Sequence, residues 1–211
     1  MEIVKIIIVD DHLIFRKGLN TILNELENVK VVGEAGNGHE LLELLKKQDA
    51  DLIFVDIKMP VMDGIEATRK VLQKFPEIKV IALTMFDEIG YFNEITDAGA
   101  MGFLLKKTTR EELGNAIEQV MAGESYFSAE FMNSINKYMQ PRKAPDISLT
   151  DREREVLKLI CKGWANPEIA RHLCLSQRTI DGHRAKLFEK TGAKNAPNLV
   201  MYALKHGLVK V

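Results

Sequence analysis

Five short apolar runs, at 5–9, 30–34, 51–55, 79–83 and 101–105, alternate with amphipathic stretches at 13–26, 38–48, 64–74, 88–98 and 109–121. This alternation limits the chain to very few folds. Parallel strands need a crossover to rejoin, and repeated strand–helix pairs wind into one parallel sheet with helices on both faces. Leu52-Ile53-Phe54-Val55 and Val80-Ile81-Ala82-Leu83 are wholly apolar, as in strands covered on both sides. In the second amphipathic stretch Leu41, Leu42, Leu44 and Leu45 form a stripe, with Glu43, Lys46 and Lys47 towards solvent. The expected fold class is α/β: a doubly wound five-stranded parallel sheet over residues 1–122. Its functional crevice would open at the carboxyl ends of the strands.

Polar residues stand at those ends. The first strand stops abruptly in Asp10 and Asp11, the third in Asp56, the fourth in Thr84 and the fifth in Lys106. Adjacent carboxylates repel, and each resists leaving water. Crowded acids with one ammonium nearby suit a hard divalent cation such as Mg2+, which prefers oxygen ligands and keeps several waters.

The segments "VDDH", "DLIFVDIKMPVMDG", "ALT" and "GFLLKK" together resemble the receiver domain of two-component response regulators, a flavodoxin-like fold. The resemblance covers about residues 1–122. It implies that Asp56 accepts a phosphoryl group from a sensor histidine kinase. Asp10 and Asp11 would hold Mg2+, aided by Asp56 and the backbone carbonyl of Lys58. Lys106 would pair with phosphoryl oxygens, the Thr84 hydroxyl would donate to one of them, and Phe103 would be the switch aromatic. In "MPVMDG", Pro60 fixes the chain and Gly64 is expected to permit an unusual backbone angle. Met85 stands where many receivers carry a small residue, and would slow access of small phosphodonors or water. A metal-dependent phosphatase on the same sheet is the rival from another class. Such enzymes often carry an acid two residues past the nucleophile, where this chain has Lys58. A receiver that works through protein partners without phosphorylation is the third reading.

The remaining chain differs in kind. Residues 1–141 hold 15 Lys+Arg and 23 Asp+Glu, whereas residues 142–211 hold 14 and 7. An acidic front and a basic back indicate two modules, the second facing a polyanion. Residues 123–147 form a linker with a possible short helix, passing into "PRKAPD". Cys161 and Cys174 match no metal spacing and read as small hydrophobes in a reducing compartment. No apolar run is long enough to span a membrane, and no leader pattern opens the chain, so a cytoplasmic home without membrane contact is expected.

Residues 148–211 read as all-α, with four helices. Thr150 and Glu153 make a capping box, Asn166 is expected to cap a second helix with Pro167 at its first position, and Ser176 caps a third over 177–190. A fourth spans about 197–206. "LTDREREVLKLICKG", "NPEIARHLCLSQRTIDGHRAKLFEKTG" and "YALKHGLV" resemble the LuxR-type helix-turn-helix of NarL/FixJ-class response regulators. By that resemblance the third helix enters the major groove of double-stranded DNA and the fourth joins two copies as a homodimer. Asp181 and Gly182 depart from the basic and apolar residues often found at those positions. The expected contacts are therefore Arg178, Thr179, His183, Arg184 and Lys186. Arg184 is assigned to guanine ahead of a merely solvated position, and His183 stands equally between a DNA contact and a core or cap role. The whole reads as a phosphorylation-controlled transcriptional regulator, not a turnover enzyme. Phosphorylation of Asp56 would gate dimerisation and DNA binding.

Overall fold

A computed structural model describes residues 3–85, 91–128, 130–132 and 147–209. The chain divides into two compact units, residues 1–123 and 124–211.

The first unit alternates β1 (Val4–Val9), α1 (Leu13–Asn24), β2 (Val29–Ala35), α2 (Gly38–Leu44), β3 (Leu52–Asp56), α3 (Gly64–Lys74), β4 (Lys79–Thr84), α4 (Phe92–Asp97), β5 (Gly102–Leu105) and α5 (Arg110–Met121). These five strands lie in the order β2-β1-β3-β4-β5, and the pairings from β2 to β5 are parallel. The core is the sheet itself: Ile6 to Val9 and all of β3 are buried. The chain runs outward from β1 to β2, then crosses to the other side of β1 for β3. That reversal opens the crevice between the ends of β1 and β3.

Helix α2 stops at Leu44 instead of reaching 48, because Lys47 and Gln48 both fold back onto the Leu44 carbonyl and turn the chain towards β3. The start expected for the fourth helix falls partly on residues 86–90, outside the described residues. The unusual backbone angle in "MPVMDG" is on Val61, at φ 70°, not on Gly64. Met62 donates its amide to the Pro60 carbonyl across that tight turn. Gly64 is needed for another reason: a Cβ there would lie 2.0 Å from the backbone oxygen of Asp56. Helix α3 therefore begins pressed against the end of β3, with Asp63 as its N-cap.

The second unit holds a short strand, β6 (Tyr126–Phe127), then α6 (Asp151–Cys161), α7 (Asn166–His172), α8 (Gln177–Thr191) and α9 (Ala196–Lys205). Among the described residues the strands thus number six, one more than the five expected of the first unit. Two residues are too few to display a period-two pattern, so β6 was not legible in the sequence. Residues 130–132 are helical, but the rest of the expected linker helix lies outside the described residues. Val156, Leu157, Ile169, Ile180, Leu187, Leu199 and Val200 form this unit's core. The Thr150–Glu153 capping box forms, and Ser176 accepts the Thr179 amide. Asn166 is not a cap but the first residue of the helix; the cap is Ala165, whose amide donates to the Glu168 carboxylate. Cys161 is buried and its thiol is pushed up to about 12, whereas Cys174 is exposed.

The close approach at Gly64 yields a stability prediction. Gly64→Ala must push α3 away from the Asp56 backbone, and should destabilise the first unit by about 1–3 kcal/mol, read from the urea-unfolding midpoint.

Candidate functional site

Asp10 immediately follows β1 and Asp56 ends β3, and both are buried, at 0% and 1% exposure. Two buried carboxylates side by side require a counter-charge. Lys106 supplies it from the end of β5: its Nζ is 2.7 Å from Asp10 Oδ2 and 2.8 Å from Asp56 Oδ2. Burial pushes the Lys106 ammonium's pKa down, but the hydrogen bonds and charges of Asp10 and Asp56 outweigh burial, so the net shift is upward. The lysine therefore stays charged. The backbone fixes its position, since the Lys106 amide donates to the Thr84 carbonyl at the end of β4. The ammonium also lies 5.1 Å from the centre of the Phe15 ring, a geometry that favours a cation.

Asp11 is more open and meets His12, whose Nδ1 is 2.9 Å from Asp11 and 3.2 Å from Asp10. Asp10, Asp11, His12 and Asp56 each offer a ligand atom within 4.8 Å of the others. Beside them opens a cleft of ≈ 460 Å³ that includes Asp11, Lys58, Asp63 and Tyr91 in its wall. Lys58 Nζ sits 5.2 Å from the centre of the Tyr91 ring.

Thr84 is buried, and its hydroxyl donates to the adjacent Met85 carbonyl. Phe103 is wholly buried against Phe92, with ring centroids 4.5 Å apart. Met85 is half-exposed. The structure thus brings Asp10, Asp56 and Lys106 into direct contact, with Asp11 alongside. Two contributors were missed. His12 was visible in "VDDH" but was given no role. Arg16, one turn into α1, donates to the backbone carbonyl of Asp10 and faces Glu34 at 3.5 Å. Only the fold reveals that partnership.

In the second unit α7 and α8 form a helix-turn-helix. Arg178, Thr179 and Lys186 are exposed on α8, while His183 and Arg184 are half-buried. Arg184 is engaged: Nη1 lies 2.8 Å from Glu124 Oε2, and also donates to Asn166 Oδ1. Asn166 Nδ2 in turn donates to Asp181 at 2.8 Å. No local pattern in α8 announces that Glu124, sixty residues away, meets this helix.

Residues 6–118 match the family model described as a response regulator receiver domain, and residues 147–203 match the one described as bacterial regulatory proteins of the luxR family. The chain is a response regulator of the NarL/FixJ type. It is 35% identical to the response regulator GacA of Pseudomonas aeruginosa, over 98% of each chain. It is 36% identical to the oxygen regulatory protein NreC of Staphylococcus haemolyticus, over 97% of this chain and 99% of that one. Among solved structures it resembles the response regulator ChrA of a heme-sensing two-component system, at 28% identity and a TM-score of 0.56, over 99% of this chain and all of ChrA. It resembles an RcsB–DNA complex at 28% identity and a TM-score of 0.60, over 97% and 99%. No helix among this regulator's described residues is long and apolar enough to cross a membrane.

An ion pair to the buried carboxylate of Glu153 fastens the regulator's helix-turn-helix. Lys190 at the end of α8 reaches Glu153 at 2.7 Å and also donates to the Ser148 carbonyl. The hydrogen bond from Lys190 holds the Glu153 carboxyl below its ordinary value, against the opposing effect of burial. Such stability is present above the ordinary carboxylate range and is lost as pH falls through the lowered pKa. Lys190→Met should therefore destabilise this unit by about 1–3 kcal/mol at pH 7. Thermal melts should show the variant and wild type converging in acid.

Proposed function

We propose that this response regulator is phosphorylated on Asp56 by a sensor histidine kinase, and that the modification controls its binding to double-stranded DNA. The observation that carries the reading is the Lys106 ammonium joined to both buried carboxylates at the strand ends. Phosphoryl transfer asks little covalent chemistry of a protein, but it requires placement and charge neutralisation. Asp56 is the nucleophile, and its attack gives an acyl phosphate. Lys106 balances charge on the phosphoryl oxygens. The Thr84 hydroxyl turns from the Met85 carbonyl towards the new oxygens, and Phe103 is the aromatic that responds. Met85 shields the aspartyl phosphate from water. The chain catalyses only the making and breaking of its own phosphoaspartate.

The oxygen-rich donor set fits a hard divalent ion. Asp10, Asp11 and Asp56, with the Lys58 carbonyl, are the residues to hold Mg2+, which when bound would neutralise charge on the transferred group. An isolated receiver domain of RcsB has been solved with the phosphomimetic BeF3-, which supports the same chemistry here.

Residues 1–122 act as receiver, 123–147 as linker and 148–211 as the DNA-binding domain, working in the cytoplasm. Arg178, Thr179, His183 and Lys186 meet DNA, with Arg184 joining them once released by Glu124. RcsB has been solved as two dimers bound to two parallel DNAs, and a homodimer on two half-sites is the form we assign to this chain. The Glu124–Arg184 contact supports the gating. A carboxylate from the segment just past α5 occupies a guanidinium of the groove-reading helix, as a phosphate or guanine would.

Incubation with acetyl phosphate and Mg2+ followed by intact-mass measurement tests the reading. Wild type should gain one phosphoryl group and Asp56→Ala none; equal labelling of both would refute it. Gating makes a second demand. Glu124→Gln should raise the DNA affinity of the unphosphorylated chain by about fivefold, the value of one partly exposed ion pair, in an electrophoretic titration.

A further inference from the structure

The solvent-facing stripe of α8 carries Arg178, Asp181, Gly182, Ala185 and Lys186. Four of these suit a nucleic-acid groove. The basic ends can meet phosphates, and the two small residues let the backbone come near. A Cβ on Gly182 would meet nothing within 4 Å, so the surface beside Asp181 is open. Asp181 is the exception, because a carboxylate is repelled by a polyanion.

Its surroundings indicate why it is tolerated. Asn166 Nδ2 donates to Asp181 Oδ1 at 2.8 Å. Arg184 donates to the oxygen of the same Asn166 amide, so the amide's orientation is fixed with its nitrogen towards Asp181. The aspartate is thus held by a neutral amide and, among the described residues, pairs with no cation. Asp181 is exposed, and its second oxygen accepts no hydrogen bond among the described residues. A side chain locked by a supporting partner is what selective recognition requires.

We propose that Asp181 reads a cytosine in the bound DNA, its second oxygen accepting from the N4 amino group. The inference rests on the DNA-binding reading above. In the major groove guanine and thymine present acceptors that repel a carboxylate, and adenine sets its N7 acceptor beside its amino group. Cytosine alone offers a donor without such a neighbour. Asp181 thus raises specificity by rejecting three bases, and Arg178 and Lys186 offset its repulsion from the backbone.

Selection of full-length wild type, Asp181→Ala and Asp181→Asn on a randomised duplex library, with Mg2+ and BeF3- present, tests this. Wild type should require cytosine at one position of each half-site. Asp181→Ala should lose roughly tenfold discrimination at that position alone, with the other positions unchanged. Asp181→Asn keeps the shape and should move the preference towards adenine, whose N6 and N7 match an amide. An unchanged preference in both variants overturns the proposal, as does a loss spread evenly over all positions, which would mean that Asp181 merely fastens α8 to α7. Wild type selecting no sequence at all would overturn the DNA-binding reading itself, a separate failure.

Discussion

The receiver is organised around one cation among acids. Asp10 and Asp56 are out of water at the ends of neighbouring strands, where two carboxylates side by side call for a counter-charge. Lys106 reaches both, and its amide is tied to the end of β4. Three strand ends are thereby joined by one side chain. Any change of charge on Asp56 alters what Lys106 must balance, and through its backbone what β4 and β5 must accommodate. That is the physical requirement for a switch: a local electrostatic event acting on a packed, two-state surrounding.

The helical unit repeats the theme with polar contacts between residues 15 to 60 positions apart. Lys190 secures the far end of α8 to the α6 cap, and Asn166 secures its middle to α7. Helix α8 is therefore held at two points by hydrogen-bonded groups and by Ile180 and Leu187 in the core. Glu124 adds a third tie through Arg184. Unlike the others it comes from the segment just past α5.

Much of this was legible in the sequence, because apolar periodicity reports burial directly. The wholly apolar runs became the central strands, and the polar residue ending each run pointed to the crevice. What escaped notice was set by neighbours distant in the chain. Gly64 looked like a turn glycine, but its importance is the Asp56 carbonyl pressed against it, and the strained angle fell on Val61. Asn166 looked like a cap because Asn before Pro usually is one; its amide is instead spent across helices on Asp181. Arg184 read as a free basic residue, since nothing in the local pattern announces Glu124. β6 is too short to leave a pattern at all.

The central claim is that charge at Asp56 sets the affinity of a helix elsewhere in the chain. The direct measurement is the equilibrium dissociation constant of the full chain for one selected duplex, at fixed salt, before and after treatment with acetyl phosphate and Mg2+. The account predicts that binding tightens by roughly tenfold or more and that Asp56→Ala shows no change. Equal affinity of the wild type in both states would contradict it.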